Sequence, residues 1–146
     1  MYDGAKWVCF SRSSIFSAYL NTHTTTLTNC YMPAIYTGGN ACTAVPVGTM
    51  LLDFPIAVVI TGIHFHTQGS QPATGSTTCY LQAAGSNTSL TFTIAASAAG
   101  GDFSDLAVAH WTAVPAGTLL NWYCSNSTSL TSATFGVGDF EYYAAQ

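Results

Sequence analysis

The sequence predicts an all-β fold, an antiparallel sandwich of two sheets with about eight strands. No segment has the 3.6-residue spacing of apolar side chains that an amphipathic helix requires. Alternating apolar and polar residues, rich in Val, Ile, Thr and aromatic side chains, occur instead along most of the chain. Clusters of Gly, Pro, Asn and Ser interrupt them about every 8–12 residues, as in sandwiches. With two sheets and Greek-key crossings, a jelly roll is the expected version.

The first 44 residues fit this pattern least well, and we expect an N-terminal arm with one or more edge strands there. Trp7–Phe10 fits an edge strand, whereas Ala18–Tyr36 fits either a strand or an extended arm. Residues 45–146 are predicted to form the sandwich, and the whole chain is predicted to be one compact domain.

Pro55–Thr67 is the longest apolar strand candidate. Every residue from Ile56 to Ile60 is apolar, so both faces of the strand are apolar in this half. A strand of this kind is buried on both sides. In a sandwich, its second face must meet a loop, a chain end or a neighbouring subunit.

The next two segments predict a hairpin. Thr88–Ala95 alternates Leu, Phe and Ile with Ser and Thr, which is typical of a half-buried strand. Ser76–Ala83 alternates in the same way, and residues 84–87 between them are short enough for a hairpin connection.

The C-terminal part predicts three further strands, which are Leu106–Thr112, Gly117–Ser125 and Ala133–Tyr143. A turn containing Pro115 and Gly117 joins the first two. Asp139 and Glu141 share one face of the last strand. We interpret that face as the solvent side.

Charged side chains are scarce in this chain. Its 146 residues include two Lys or Arg and six Asp or Glu, which is 5% of the chain, against roughly 25% in typical domains. A neutral polar surface repels a like surface only weakly, so it suits a protein that packs against copies of itself or a larger assembly. Lys6 and Arg12 are the only basic residues, which excludes a basic patch for nucleic-acid phosphates.

Nothing in the sequence predicts contact with a membrane. The longest strongly apolar run, Phe54–Ile60, is far shorter than the about 20 residues of a spanning helix. The N-terminus lacks the charged start and apolar core of a signal peptide. We therefore expect the chain to fold in a cytoplasm.

The cysteines favour reduced packing residues over a disulfide framework or a metal site. Their number is odd, their spacing is wide, and no Cys-x-x-Cys pair occurs. The five residues are Cys9, Cys30, Cys42, Cys79 and Cys124.

His64 and His66 are the best candidates for metal ligands, because positions i and i+2 share one face of a strand. His110 lies on another predicted strand and is the candidate for a third ligand. Gly62–His66 also resembles the first motif of cupin metal enzymes, but no Glu follows at the expected spacing. Half-buried histidines with hydrogen-bonded rings are the commoner case, so no metal and no cofactor are predicted.

The acidic residues of the Gly-rich segment Ala99–Asp105 are the second chemical candidate. Asp102 and Asp105 together suit Ca²⁺, but this ion takes about 6–8 oxygen ligands and few other acids exist. An Asx-turn is the favoured role. No nucleophile elbow and no phosphate-binding loop occur, so no enzymatic activity is predicted.

Aromatic side chains are abundant, with three Trp, eight Tyr and eight Phe. Neighbouring strand residues point to opposite faces, so one member of Trp122-Tyr123 and one of Tyr142-Tyr143 lies outside the core or in an interface. Exposed rings stack on sugars or anchor protein partners. The residues predicted to contact other subunits are Trp7, Phe10, Ile56, Val58, Ile60, Trp122, Tyr142 and Tyr143.

Residues 45–51 and 114–120 have similar sequences, each with a Pro/Gly turn followed by an apolar strand. Between them come a Gly/Ser/Pro/Thr loop at 69–75, a strand at 89–94 and a Gly-rich loop at 99–105. This layout, from about Val45 to Tyr143, resembles a jelly-roll domain of tailed-phage virion proteins. The resemblance covers roughly two-thirds of the chain and includes no catalytic signature. The five cysteines and the two histidines of the long strand depart from it.

The resemblance implies a homotrimer similar to the tumour-necrosis-factor jelly roll. It implies a structural protein of the virion, assembled in the host cytoplasm, that decorates or cements the capsid. Its expected partners are copies of itself and the major capsid protein or other virion proteins, with no nucleic acid and no membrane. The alternative is a tail-fibre-tip or receptor-binding module that recognises host glycans. A cupin-like metal-binding protein with His64, His66 and His110 is the third candidate.

Overall fold

The computed structural model describes residues 13–14, 18–19, 28–34, 52–69, 71–130 and 136–145. In these ranges it has ten strands and one short 3₁₀ helix, Val108–His110. The strands, numbered β1 to β10 along the chain, are Ser13–Ser14, Ala18–Tyr19, Asn29–Pro33, Val58–Thr67, Thr77–Ala83, Ser86–Ile94, Gly101–Asp105, Thr112–Val114, Leu120–Asn126 and Val137–Ala144. The predicted all-β class is confirmed.

The strands form two antiparallel sheets, each with four strand positions. In the first sheet, β10 and β4 are the central strands. β1 and β2 share the position beside β10, and β7 and β8 share the position beside β4. The second sheet has the order β3-β9-β5-β6.

The order of the strands is that of a jelly roll. When the eight positions are numbered along the chain, the first sheet reads 1-8-3-6 and the second reads 2-7-4-5. Positions 1 and 8, 2 and 7, 3 and 6, and 4 and 5 are therefore neighbours. This is one long antiparallel hairpin rolled into two facing sheets, so the predicted fold is confirmed.

The core fills the space between the two sheets. Phe65 of β4 packs against Trp122 of β9, with ring centroids 5.5 Å apart, and against Phe92 of β6 at 5.2 Å. Gly138 of β10 lies directly opposite Phe65, where the lack of a side chain leaves room for both large rings. The aromatic rings of three strands thus set the local distance between the sheets.

A bulge in β4 explains the apolar run of Pro55–Thr67. Glu141 pairs with Gly62 and Tyr142 with Ile60, so Thr61 is an extra residue of β4. The side chains of Ile60 and Ile63, three positions apart, are therefore both fully buried. Apolar residues before and after the bulge therefore face the same core. The strand begins at Val58, three residues later than predicted.

Two segments near Asp105 differ from the prediction. Residues 101–105, expected in a loop, form β7 beside β4, whereas most of Leu106–Thr112, expected as a strand, is the 3₁₀ helix and its flanks. β7 has strand geometry despite its Gly, Asp and Ser residues because pairing with β4 supplies its hydrogen bonds. Polar residues are tolerated there since an edge strand has a side that faces water.

The jelly roll takes its first two strand positions from residues before 45. β1 and β2 lie at one edge of the first sheet, and β3 lies at one edge of the second. The sequence did not decide between a strand and an extended arm for Ala18–Tyr36. In the structure, β2 and β3 are strands within this segment. The predicted edge strand Trp7–Phe10 lies outside the described residues.

Cys79 and Cys124 form a disulfide, which differs from the expectation of reduced cysteines. They are directly opposite each other on β5 and β9, with their Cα atoms 4.0 Å apart. Such pairing depends on strand order and register, which the spacing of cysteines along the sequence does not contain. The disulfide lies in the core, where both residues are fully buried.

Candidate functional site

Charged and histidine side chains are divided unequally between the sheets. β3, β5, β6 and β9 contain no Asp, Glu, Lys, Arg or His, and we call their sheet the neutral sheet. The other sheet carries two histidines on β4, two aspartates on β7 and two acids on β10. The two outer surfaces of the sandwich therefore differ in chemistry.

His64 lies among carboxylates on the outer face of the first sheet. Its Nε2 atom is 3.2 Å from Glu141 Oε1, and Asp139 is directly opposite it on β10. The pKa of Asp139 lies above the usual 3.8, mainly because the carboxyl group is partly buried. His64 acts to lower this pKa, whereas the nearby Glu141 carboxylate raises it. The solvent side predicted for Asp139 and Glu141 is this outer face, where both side chains are half-buried.

The three candidate metal ligands do not converge. His66 Nδ1 is 2.6 Å from Asp102 Oδ1, on the same face as His64, whereas His110 belongs to the 3₁₀ helix and contacts Asp105. Each histidine thus has its own carboxylate. Within the described parts of the chain, no group of three or more His, Cys, Asp or Glu side chains is arranged to hold a metal ion.

Asp105 is a buried carboxylate with several hydrogen-bond donors around it. It ends β7, is buried, and accepts hydrogen bonds from the backbone N–H groups of Thr91 at 3.0 Å and Ala107 at 3.2 Å. His110 Nδ1 donates to it at 2.7 Å. Burial acts to raise the pKa of Asp105, but the hydrogen bonds from Thr91, His110 and Ala107 outweigh it and hold the pKa below the usual 3.8.

The contact from Ala107 to Asp105 is the Asx-turn that the sequence predicted. The contact from Thr91 has a second consequence, because β6 and β7 are the edge strands of different sheets. Asp105 therefore ties the two sheets together along one side of the sandwich.

A row of three tyrosines crosses the outer face of the neutral sheet. Tyr31 of β3 is directly opposite Tyr123 of β9, which is directly opposite Tyr80 of β5. The ring centroids are 4.8 Å apart for Tyr31 and Tyr123, and 6.2 Å apart for Tyr123 and Tyr80. All three are half-buried, whereas the strand neighbours of Tyr80 and Tyr123 point into the core. We call these residues the tyrosine row.

Hydrogen-bonded polar side chains border the tyrosine row on both sides. On one side, Tyr123 Oη donates to Asn29 Oδ1 at 3.1 Å. On the other side, an amide chain runs from Asn121 to Gln82 at 3.1 Å and from Gln82 to Asn87 at 2.8 Å. Burial raises the pKa of Tyr123 above 10.0, and the neighbouring Tyr31 and Tyr80 raise it further. The Tyr123 ring is thus held in place and stays neutral at physiological pH.

The predicted interface residues have different positions. Trp7 and Phe10 lie outside the described residues. Val58, Ile60 and Trp122 are fully buried within the chain, so they have no surface for a neighbour. Tyr142 packs against the core, whereas Tyr143 is half-buried with its ring 6.1 Å from that of Trp111. Ile56 is 54% exposed.

Sequence reasoning did not find the tyrosine row. It predicted that one of Trp122 and Tyr123 lies outside the core, and Tyr123 is that residue. The order of strands β3, β9 and β5 then brings Tyr31 and Tyr80 beside it, although they are far apart in sequence. The only local signal was one tyrosine at an outward position of each strand.

Comparison with protein-family models, curated proteins and solved structures finds no match. No helix in the described ranges is long and apolar enough to cross a membrane.

Proposed function

We propose that the chain is a non-enzymatic structural protein of a tailed-phage virion. In this proposal it forms homotrimers and packs on the particle surface as a capsid decoration or cement protein. The jelly-roll strand order supports the proposal, because it is the fold that the resemblance to phage virion proteins implies. The low number of charged residues supports it as well, since burying a neutral surface in an assembly desolvates few charges.

The observation that carries the proposal is the exposure of two large apolar side chains on adjacent segments, at the end of the sandwich where β9 begins. Ile56 is 54% exposed and Leu119 is 46% exposed. They belong to two segments joined by hydrogen bonds between Leu52 and Leu120 and between Phe54 and Gly117. Exposed apolar groups on adjacent segments suit contact with another subunit.

The test is the mass of the purified chain by light scattering. We expect about three times 15.3 kDa. Ile56→Asp and Leu119→Asp should reduce the mass to that of a monomer while the circular dichroism spectrum stays unchanged. Val108→Asp is the comparison variant, because Val108 is 69% exposed on the 3₁₀ helix and belongs to neither of these two segments.

Two results would contradict the proposal. A monomeric wild-type chain would show that the protein does not form the proposed homotrimer. A trimer that persists in both Asp variants would show that Ile56 and Leu119 are not part of the interface. Cosedimentation with empty capsids then tests decoration, and a trimer that binds no capsid protein would exclude the cement role. Metal analysis of the same sample tests the cupin-like candidate, for which stoichiometric zinc, iron or manganese is required.

A further inference from the structure

We propose that Cys30, Cys124 and Cys79 form a buried site of thiol–disulfide exchange, at which Cys124 changes its partner from Cys79 to Cys30. The change follows when a dithiol reductant opens the disulfide of Cys30. The site is a redox-sensitive device that moves a covalent link from one pair of strands to another. It does not depend on the proposed structural role, because it concerns the inner face of the neutral sheet and not the surface of the sandwich.

The three cysteines form a row across three adjacent strands. Cys124 of β9 is directly opposite Cys30 of β3 and also directly opposite Cys79 of β5. All three side chains are fully buried in the core between the two sheets. Cys30 is itself disulfide-bonded, in addition to the bridge between Cys79 and Cys124. Two disulfides therefore meet on one face of the sheet, with Cys124 between the other two cysteines.

The geometry of the strands places Cys124 within reach of both neighbours. Its Cα atom is 4.0 Å from that of Cys79, close to the about 4.5 Å of a non-hydrogen-bonded pair. Two residues after Cys124, the backbone N–H of Asn126 donates to the carbonyl oxygen of Thr28 at 2.8 Å. Cys124 and Cys30 are therefore a hydrogen-bonded pair, whose Cα atoms are about 5.5 Å apart. This separation lies inside the range of about 4.4–6.8 Å that disulfides span.

The exchange requires β3 to move slightly towards β9. The Cβ atoms of a hydrogen-bonded pair are up to about 5.5 Å apart, whereas a disulfide needs about 3.5–4.5 Å. This difference explains why the bridge of Cys124 is at Cys79 in the structure. β3 is an edge strand of five residues, and β9 is its only strand partner in the described part of the chain. A shift of about 1 Å is a small movement for such an edge once the disulfide of Cys30 no longer restrains it.

The chemical steps balance when a dithiol is the reductant. The dithiol reduces the disulfide of Cys30 and is itself oxidised to a disulfide, which leaves one thiol on Cys30 and one on its former partner. The Cys30 thiolate then attacks Cys124 Sγ. The Cys30–Cys124 bond forms, the Cys79–Cys124 bond breaks, and Cys79 leaves as a thiolate that takes up the proton lost by Cys30. Because the Cys79–Cys124 bridge is fully buried, Cys30 is the route by which reduction reaches it.

The exchange changes which strands of the neutral sheet are cross-linked. The present bridge joins β5 and β9, which are the two inner strands of this sheet. The bridge from Cys30 to Cys124 joins the edge strand β3 to β9 instead, and the free thiol is then at Cys79 in the core. The partly reduced chain thus keeps one disulfide in the sheet.

The test is partial reduction of the wild-type chain with dithiothreitol. The reaction is quenched with acid, free thiols are labelled with N-ethylmaleimide in denaturant, and peptic peptides are mapped by mass spectrometry. We expect a label on Cys79 and a linked Cys30–Cys124 peptide that the untreated chain does not give. A label on Cys30 while Cys79 stays linked to Cys124 overturns the inference, and so does joint labelling of Cys79 and Cys124.

Two triple variants give a matched comparison. Both contain Cys9→Ala and Cys42→Ala, because these are the other two cysteines of the sequence and must be unable to pair with Cys30. With Cys79→Ala added, Cys30 and Cys124 should form a disulfide on air oxidation and leave no thiol to label. With Cys124→Ala added instead, Cys30 and Cys79 remain on either side of β9, about 9–10 Å apart, so both should be labelled.

Two labelled thiols in the Cys79→Ala variant, or a disulfide in the Cys124→Ala variant, overturn the inference. The circular dichroism spectrum of each variant is compared with that of the wild type, and the partial reduction of the wild type requires no substitution at all. These readouts are independent of the mass of the particle. A monomeric wild type contradicts the proposed homotrimer and not this inference, so the two can fail separately.

Discussion

At the scale of single residues, the polar contacts of Asp105 have the largest structural consequence. Its carboxylate receives hydrogen bonds from β6, from the turn after β7 and from His110. Since β6 and β7 belong to different sheets, one side chain fixes how the two sheets meet along this edge. Loss of its charge leaves two backbone donors without a strong acceptor.

Asp105→Asn should therefore lower the free energy of unfolding by about 1–3 kcal/mol at pH 7, as for other buried, charge-assisted hydrogen bonds. Urea unfolding monitored by tryptophan fluorescence measures this. Asp102→Asn is the matched control, because the Asp102 side chain is 90% exposed and its pair with His66 lies in water. Its effect should be too small to separate from zero. Equal effects of the two substitutions would show that burial of Asp105 does not matter.

The same carboxylate predicts a dependence on pH. Because the pKa of Asp105 is lower in the folded chain than in the unfolded chain, its stabilisation is complete above the unfolded value of about 3.9. It is lost as the pH falls through the lower, folded value. The difference in unfolding free energy between the wild type and Asp105→Asn should thus be present at pH 7 and shrink below about pH 4. A difference that is as large at pH 2 as at pH 7 would contradict this origin.

At the scale of elements, the β5–β6 hairpin uses an unfavourable residue in its turn. Ala84 and Gly85 form a two-residue connection with φ angles of 50° and 76°, the signs that a type I′ turn requires. Asn tolerates a positive φ better than Ala does, and Asn-Gly is the preferred pair in this turn. The hairpin was predicted from the sequence, but the strain at Ala84 appears only in the backbone angles.

Ala84→Asn should raise the free energy of unfolding by about 0.5–1 kcal/mol, because Ala84 is exposed and the substitution changes little besides the turn. Gly85→Ala is the opposite control. No atom lies within 4 Å of the position of an added Cβ atom, so only the positive φ of 76° opposes it. It should cost about 1–2 kcal/mol. Thermal unfolding by circular dichroism measures both, and a destabilising Ala84→Asn would contradict the turn type.

The disulfide between β5 and β9 is a second prediction at this scale. Cys79 and Cys124 are 45 residues apart in sequence and join neighbouring strands of the neutral sheet. Loss of such a bridge typically costs about 2–4 kcal/mol. The midpoint of urea unfolding should therefore fall when Cys79→Ala and Cys124→Ala are combined, and peptide mapping without reduction should recover the linked Cys79 and Cys124 peptides from the wild type. Alkylation of both thiols in the unreduced, unfolded chain would contradict the bridge.

At the scale of the whole molecule, the separation of the sheets depends on Gly138. A Cβ atom at this position would lie 2.9 Å from the Phe65 ring and 3.0 Å from the Trp122 ring. Phe65 and Trp122 belong to opposite sheets, so a methyl group there must displace one ring or separate the layers. Gly138 is therefore part of the fit between the two sheets.

Gly138→Ala should lower the free energy of unfolding by about 1–3 kcal/mol, as for other overpacked cores. Phe65→Leu in the same chain should recover part of the loss, because it removes the ring that meets the new methyl group. Chemical unfolding of the two single variants and the double variant measures the recovery. Strictly additive losses would show that the new methyl group and the Phe65 ring do not interact.

The sequence by itself determined the class of the fold and several of its elements. Period-two alternation located β5, β6, β9 and β10, because burial of one face of a sheet forces this pattern on local sequence. It did not identify β7, since a polar edge strand has little apolar signal of its own. The tyrosine row, the Cys79–Cys124 bridge and the link from Asp105 to Thr91 were decided by the tertiary structure alone. Each of these three features joins residues from different strands. Which strands become neighbours depends on how the long hairpin is rolled into two sheets, and local sequence patterns do not determine this.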